Sequence, residues 1–183
     1  MARGRFISLE GGEGAGKSTQ LNALADALKG RGLTVLVTRE PGGSPGAEAI
    51  RQLLLEGEEN RWNPRAEALL FAAARSDHVE KTIKPALERG EWVLSDRFLD
   101  SSLAYQGEAG GLGNEAVRDL HRFGSGDFLP DRTLVLMLDE AEAQPGPECA
   151  MAIPATGSVR GLRAIMLPSM RVSVRCRRES RTG

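Results

Sequence analysis

Cysteine is nearly absent from this 183-residue sequence, and aromatic side chains make up only 4% of it. Cys149 and Cys176 lie near neither a histidine nor each other, so they suggest neither a metal-ligand pattern nor a disulfide framework. No run approaches the ~18 apolar residues of a membrane helix. An excess of one charge is missing too. Lys plus Arg number 24 and Asp plus Glu 25, a net charge of −1. That balance argues against bulk binding to nucleic acid. Met1-Ala2-Arg3-Gly4-Arg5 leads straight into an apolar run, with no room for a signal peptide, so a cytoplasmic location is expected. With 40% apolar and 27% charged residues, the chain has the composition of one ordinary domain with a real core.

What is present begins with Gly11-Gly12-Glu13-Gly14-Ala15-Gly16-Lys17-Ser18. This fits G-x-x-x-x-G-K-[ST], a phosphate-binding loop. Phe6 to Glu10 before it reads as a short buried strand. Leu21, Leu24 and Leu28 after it fall at helical spacing. Strand, glycine loop and helix are the context the motif needs. The glycines let consecutive N–H groups point at phosphate oxygens, and the helix N-terminus adds its dipole. Lys17 would reach the β- and γ-phosphates and the Ser18 hydroxyl would ligate Mg²⁺. A nucleoside-triphosphate site is expected.

The segments that follow alternate. Gly30 and Gly32 end the first helix, and Leu33 to Thr38 reads as a strand. Ser44-Pro45 and Asn63-Pro64 are each an N-cap with proline at the first helical position. The first of these helices should turn Ala47, Ile50, Leu53 and Leu54 inward. The second should run to about Asp77, and a further helix from Val79 to Arg89. Trp92 to Ser95 and Thr133 to Leu138 read as strands. The expected fold is α/β, with a mostly parallel sheet covered on both faces and ligands at the strands' carboxyl ends.

Three further clusters fall where such ligands would lie. Thr38-Arg39-Glu40-Pro41-Gly42-Gly43-Ser44 follows the second strand, and Arg39 and Arg51 are candidate partners for a second phosphate group. Phe71 and Arg75 are four apart on one helical face, a plane and a fork suited to a flat heterocycle. A core phenylalanine beside a salt-bridged arginine would give the same spacing. The third cluster runs from Leu94 to Gln106. Asp96 at a strand's end is placed to bind Mg²⁺ or its water shell, and Arg97 to neutralise a phosphoryl group in flight. Tyr105 and Gln106 offer an aromatic face and amide groups for a base.

Together these clusters resemble the bacterial type of thymidylate kinase, over about residues 5–139. The string Asp96-Arg97-Phe98, Ser101-Ser102 and Ala104-Tyr105-Gln106 is its most specific element. Arg39-Glu40-Pro41-Gly42-Gly43 and Phe71-Ala72-Ala73-Ala74-Arg75 add to it. The resemblance implies a three-layer sandwich of the phosphate-loop NTPase, nucleoside-monophosphate kinase-like type, with the C-terminal part incomplete. It implies transfer of a phosphoryl group from ATP to dTMP, with Mg²⁺, in a homodimer that binds neither nucleic acid nor membrane. Gly11 to Ser18 would hold ATP, with Lys17, Arg39, Asp96 and Arg97 as catalytic residues. Phe71 would stack on thymine, with Arg75 and Gln106 reading its edge. Tyr105 would pack on the deoxyribose and Glu13 approach its 3′-hydroxyl. Arg39, Arg51, Arg97 and Ser101 would lie around the acceptor. Ser18 and Asp96 would hold the metal.

The character of the chain changes near Asp139. The last aromatic residue is Phe128, and no lysine follows Lys84. Seven arginines, both cysteines and four of the nine prolines lie beyond Asp139. Arg163 to Val174 offers a strand or an amphipathic turn, and composition suggests a solvated tail. The sequence thus divides into a kinase core, 1–139, and a divergent tail, 140–183, in place of an arginine-bearing lid. Gln144 to Gly183 resembles nothing in the family. Out-of-frame translation of a normal lid would account for this. Shifted by two bases, codons for Ala155-Thr156-Gly157-Ser158 can spell Asp-Arg followed by Ile or Phe. Without lid arginines the expected activity is weak, since such groups supply about 10³–10⁵ in rate. Another nucleoside or nucleoside-monophosphate kinase, or a silent nucleotide-binding remnant, are the alternatives. A GTPase is disfavoured because no Asn-Lys-x-Asp motif occurs.

Overall fold

The computed structural model describes residues 3–57, 61–138 and 170–176. Strand β1 (Phe6–Gly11) leads through the glycine loop into α1 (Lys17–Lys29). Leu21, Leu24 and Leu28 are all buried, as their spacing predicts. Burial of such side chains contributes about 2 kcal/mol each. Gly30 caps α1 and Gly32 turns the chain at φ 78°. Strand β2 (Val35–Arg39) starts later than expected, because the Leu33 N–H is taken up by the Leu28 carbonyl at the end of α1, at 3.2 Å. As an edge strand, β2 has no fully buried residue.

Helices α2 (Pro45–Leu55) and α3 (Pro64–His78) begin where the capping signals predict. Ser44 Oγ accepts the Ala47 N–H at 3.3 Å, and Asn63 Oδ1 accepts the Ala66 N–H at 3.0 Å. One expectation for α2 is corrected. Ala47 is fully buried, but Leu53 is 41% exposed, and Ile50 and Leu54 are only partly covered. The cause is packing: α2 lies mainly on α3 rather than on the sheet, so a narrower stripe is covered.

The two helices expected on either side of His78 form one rod. A π-helical turn, Val79–Ile83, joins α3 to α4 (Lys84–Glu88). Pro85 has no N–H to donate back, and the wider turn falls just before it. Strand β3 (Trp92–Asp96) is followed by α5 (Leu99–Ser102), a second π-helical stretch (Leu103–Ala109), α6 (Asn114–Ser125) and β4 (Arg132–Leu138). The helical pieces between Leu99 and Ser125 are not among those expected above. Polar residues and Gly107 interrupt the apolar period up to Ala109, whereas α6 buries Val117, His121 and Ser125 four residues apart and was missed behind Gly110, Gly111 and Gly113.

Among the described residues the sheet has five strands, in the order β2-β3-β1-β4-β5. The first four are mutually parallel. Strand β5 (Met170–Cys176) adds an antiparallel edge on β4, so Arg163 to Val174 supplies a strand over its last residues. The Asp139 boundary, the unmatched stretch from Gln144 up to β5 and the Ala155-to-Ser158 segment lie outside the described residues.

Both faces of the sheet are covered. Ile7, Leu9, Leu94, Leu134 and Leu136 pack with α1 on one face. Phe6, Val93, Phe98, Val79, Ile83 and Val117 pack together on the other. The register sets Leu9 beside Asp96 and Asp96 beside Arg39. Strands β2 and β3 therefore end at one level and β1 runs two residues past it, and the loops after all three face a common space. Among the described residues no helix is long and apolar enough to cross a membrane.

Candidate active site

The phosphate loop wraps the carboxyl end of β1. Gly11 takes φ 144°, and a Cβ there would lie 2.5 Å from the Leu136 carbonyl oxygen, so only glycine fits. Helix α1 starts at Gly16, which is left-handed and offers no side-chain cap. In α2 and α3, Ser44 and Asn63 occupy that role. The first N–H groups of α1 thus carry no side-chain partner at their cap, the arrangement that binds an anion. Lys17 Nζ lies back over the loop, donating to the carbonyls of Gly11 at 3.0 Å and Gly12 at 2.7 Å. Burial, and then the Arg97 guanidinium, hold its pKa below the usual lysine range.

Ser18 Oγ donates to Asp96 Oδ2 at 3.1 Å. The other carboxylate oxygen, Oδ1, is buried without a hydrogen-bond partner among the described residues. A hydroxyl beside a half-satisfied carboxylate fits a hard divalent cation. No group of three or more His, Cys, Asp or Glu forms a cage among the described residues. A Mg²⁺ ion held by Ser18 and Asp96 would complete its shell with water and phosphate, as that ion commonly does.

Three arginines face the same space. Arg39 Nη2 contacts both Glu48 oxygens, at 3.2 and 3.1 Å. Glu48 also accepts the Gly43 N–H at 2.8 Å, which is the main reason its carboxyl titrates below the usual range. Arg51 Nη1 donates to the Pro41 carbonyl at 2.7 Å. Arg97 sits at φ 70°, with Nη1 on Ser101 Oγ at 3.1 Å and its guanidinium 5.4 Å from the Tyr105 ring centroid. A cavity of about 470 Å³ is lined by Glu13, Lys17, Ser18, Arg39, Arg51, Asp96 and Arg97, together with Gly14, Gly16, Thr19 and Glu40.

The remaining site candidates lie elsewhere. Phe71, Arg75, Ser101, Tyr105 and Gln106 do not line that cavity. Arg75 is 3% exposed. Its Nε donates to Glu40 Oε2 at 2.7 Å and its Nη2 to Ser102 Oγ at 2.7 Å. The ring under its guanidinium is Phe98, at 5.2 Å, while Phe71 is only partly buried. Arg75 thus makes the salt bridge of the alternative reading, with Phe98 rather than Phe71 as its ring partner. Gln106 Nε2 donates to Glu67 Oε1 at 2.8 Å. Tyr105 is 44% exposed.

Sequence reasoning missed three buried polar residues around this site. Glu40 receives Arg75 on one oxygen and His78 Nδ1, at 3.1 Å, on the other. His78 Nε2 pairs with Thr38 Oγ1 at 2.8 Å. Glu10 is 4% exposed and burial pushes its pKa up to about 7. The signal for Glu10 was a charge inside an apolar strand, and for Glu40 its place between Arg39 and Pro41. Nothing local marked His78.

A family model described as thymidylate kinase matches residues 9–144. The thymidylate kinase of Rhizorhabdus wittichii is 72% identical over 133 residues, 73% of this chain and 64% of that protein. That of Afipia carboxidovorans is 58% identical over 134 residues, covering 73% and 59% respectively. That of Caulobacter vibrioides is 53% identical over 152 residues, covering 80% and 73%. The crystal structure of thymidylate kinase from Ehrlichia chaffeensis superposes with a TM-score of 0.66 at 37% identity, covering 73% of this chain and 74% of that one. The chain thus spans about three fifths of the length of the first curated relatives it matches, 64% and 59%.

Proposed function

The chain belongs to the thymidylate kinase family, and on that premise we propose that it transfers the γ-phosphoryl group of ATP to dTMP. One observation carries the reading. An uncapped helix N-terminus, Lys17, the Ser18–Asp96 pair and three arginines surround a single cleft. Phosphoryl transfer needs positioning and charge neutralisation more than covalent chemistry. In this proposal the loop from Gly11 to Ser18 binds the ATP phosphates. Arg39, Arg51 and Arg97 receive the acceptor phosphate. Mg²⁺ at Ser18 and Asp96 would neutralise charge developing on the phosphates. Phe71, Arg75, Tyr105 and Gln106 recognise the thymine and deoxyribose, with Ser101 beside them and Glu13 near the 3′-hydroxyl.

Binding at the base requires Gln106 to exchange Glu67 for thymine. Arg75 can keep Glu40 while offering a remaining N–H, since its fork has five donors. A homodimer belongs to the same proposal. Leu53 and Leu55 on α2, Leu69 on α3 and Phe123 on α6 are among the exposed apolar side chains of the described residues. A cytoplasmic location belongs to it as well.

The test is a coupled ADP-release assay with ATP and Mg²⁺, comparing dTMP with dUMP, CMP, AMP and thymidine. Turnover with dTMP above all others is the expected result. Preference for another acceptor, or nucleotide binding by calorimetry with no turnover on any, would refute it.

A further inference from the structure

Beneath the phosphate loop lies a carboxylate that the reaction as described does not use. Glu10 is the fifth residue of β1 and is 4% exposed. A charged side chain is rarely buried this fully without dedicated partners. Here both oxygens have one. Oε1 accepts the Phe98 N–H at 2.8 Å, and Oε2 accepts the Ser101 hydroxyl at 2.6 Å. An ionised carboxylate only accepts. The Ser101 proton is therefore directed at Glu10, and the Ser101 lone pairs are free for Arg97. Arg97 Nη1 donates to that oxygen at 3.1 Å.

The backbone around Arg97 is held to the same strand. At φ 70° Arg97 occupies left-handed space that side-chain-bearing residues rarely adopt. Its N–H donates to the Leu9 carbonyl at 2.9 Å. Its own carbonyl accepts Ser95 Oγ at 2.8 Å. With the Phe98 N–H on Glu10, two of these three bonds reach β1. The turn directs Arg97 into the cleft that Lys17, Arg39 and Arg51 also line.

We infer that Glu10 is a positioning residue for Arg97, holding the 96–98 turn from below and orienting the guanidinium through Ser101 toward the phosphate monoester of the acceptor. It does not touch substrate. The inference rests on the proposed dTMP acceptor for its ligand, though not for the relay itself.

The relay is also sensitive to pH. Burial places the Glu10 pKa near 7. The groups facing it are Asp100 and Ser101 from α5, Arg75 from α3 and, on α1, Lys17. A proton on Oε2 reverses the Ser101 bond, so that the carboxyl donates and the negative end of the relay is lost.

Glu10→Gln tests this. It keeps the shape and the acceptor for Phe98, but its amide donates to Ser101. The first readout needs no nucleotide: ¹⁵N NMR of the Arg97 guanidinium in the full chain, assigned with Arg97→Lys. The expected result is a restrained Arg97 signal at pH 8 that loosens toward pH 6, and a loose signal at both pH values in Glu10→Gln. The second readout is dTMP affinity by calorimetry. Glu10→Gln should weaken it about three- to tenfold at pH 8, as expected for losing one charge-assisted hydrogen bond. The two proteins should converge at pH 6, and the substitution should have no effect in a Ser101→Ala background. A merely structural role for Glu10 would lower the melting temperature without these pH-dependent differences. Unchanged Arg97 signals and unchanged dTMP affinity at pH 8 overturn the inference. If Glu10→Gln does not fold, Ser101→Ala alone must loosen Arg97, and an unchanged signal there overturns it equally. If wild type binds no dTMP while Arg97 still responds to Glu10→Gln, the acceptor is wrong and the role of Glu10 stands.

Discussion

On one side of the site Lys17, Arg39, Arg51 and Arg97 line an open cleft; on the other, Arg75, Glu40, His78, Thr38 and Ser102 bond one another and are largely buried. The open side is left with uncompensated polar groups: the first N–H donors of α1 have no side-chain cap, and the acceptor Asp96 Oδ1 has no partner among the described residues. A ligand's phosphates and a cation would complete it. The closed side is complete without a ligand. The lesson is that one site can hold two kinds of polar residue. Some await a ligand, and others hold the loops that present it.

If that division is right, substitutions on the two sides should fail differently. The largest effect belongs to the open side. Lys17→Met should lower phosphoryl transfer by about 10²–10³, comparable to removing one preorganised donor. The melting temperature should move by only a few degrees, because among the described residues the Lys17 ammonium bonds to loop carbonyls alone. Coupled ADP release at high enzyme concentration, beside a thermal melt, checks both halves.

Arg75→Ala should act strongly on stability as well as removing its proposed contact with thymine. It leaves Glu40 buried with one partner fewer, a change that costs roughly 3–5 kcal/mol. At about 2–4 °C per kcal/mol for a chain of this size, the melt should fall by some 10 °C. Arg75→Lys should not restore it, since one ammonium cannot replace the fork that reaches both Glu40 and Ser102. A melt unchanged by Arg75→Ala would erase the distinction between the two sides.

A pH series sharpens the comparison next. Glu10 titrates near 7 when folded, against 4.5 as a free group. Between those values the folded state binds the extra proton, so stability falls as pH rises. His121, buried on α6 edge-on to the Phe98 ring, is the opposite case. Burial, with the Arg75 charge second, lowers it from 6.5 to about 4. Between those values the unfolded state binds the extra proton, so stability falls as pH falls. Each is worth on the order of 3 kcal/mol across its window. The two oppose each other where the windows overlap. Relative to wild type, Glu10→Gln should gain melting temperature from pH 4.5 to 7.5. His121→Gln should gain from pH 6.5 to 4. Parallel melting curves for all three proteins would contradict both assignments.

The smallest effect lies away from the site. Asn63→Ala removes the cap of α3 and should cost about 1 kcal/mol, a shift of a few degrees, with dTMP affinity unchanged.

How much of this was legible beforehand differs by element. The glycine loop, the Ser44 and Asn63 caps and Asp96-Arg97 at a strand's end were readable, because each is set by neighbours in sequence. Turn, cap and strand-end chemistry are local. The π turns, the helices after Leu99 and the exposure of Leu53 were not. They depend on Pro85, on a run of glycines and on which surface α2 meets. Arg75 shows the limit most clearly. Its helical position was readable, but its partners Glu40 and Ser102 lie 35 and 27 residues away.

The sequence by itself determined the phosphate loop, the alternation that makes a parallel sheet and the motif string that places the chain in its family. Those features rest on backbone conformations and apolar periods spanning a few residues. Only the tertiary structure decided which charges meet. Strand register set Leu9, Asp96 and Arg39 at one level, and that brought Glu10 under Arg97 and Glu40 between Arg75 and His78. Such pairings depend on where distant segments pack, because burial makes an unpaired charge too costly to leave and any nearby partner, however remote in sequence, is taken up.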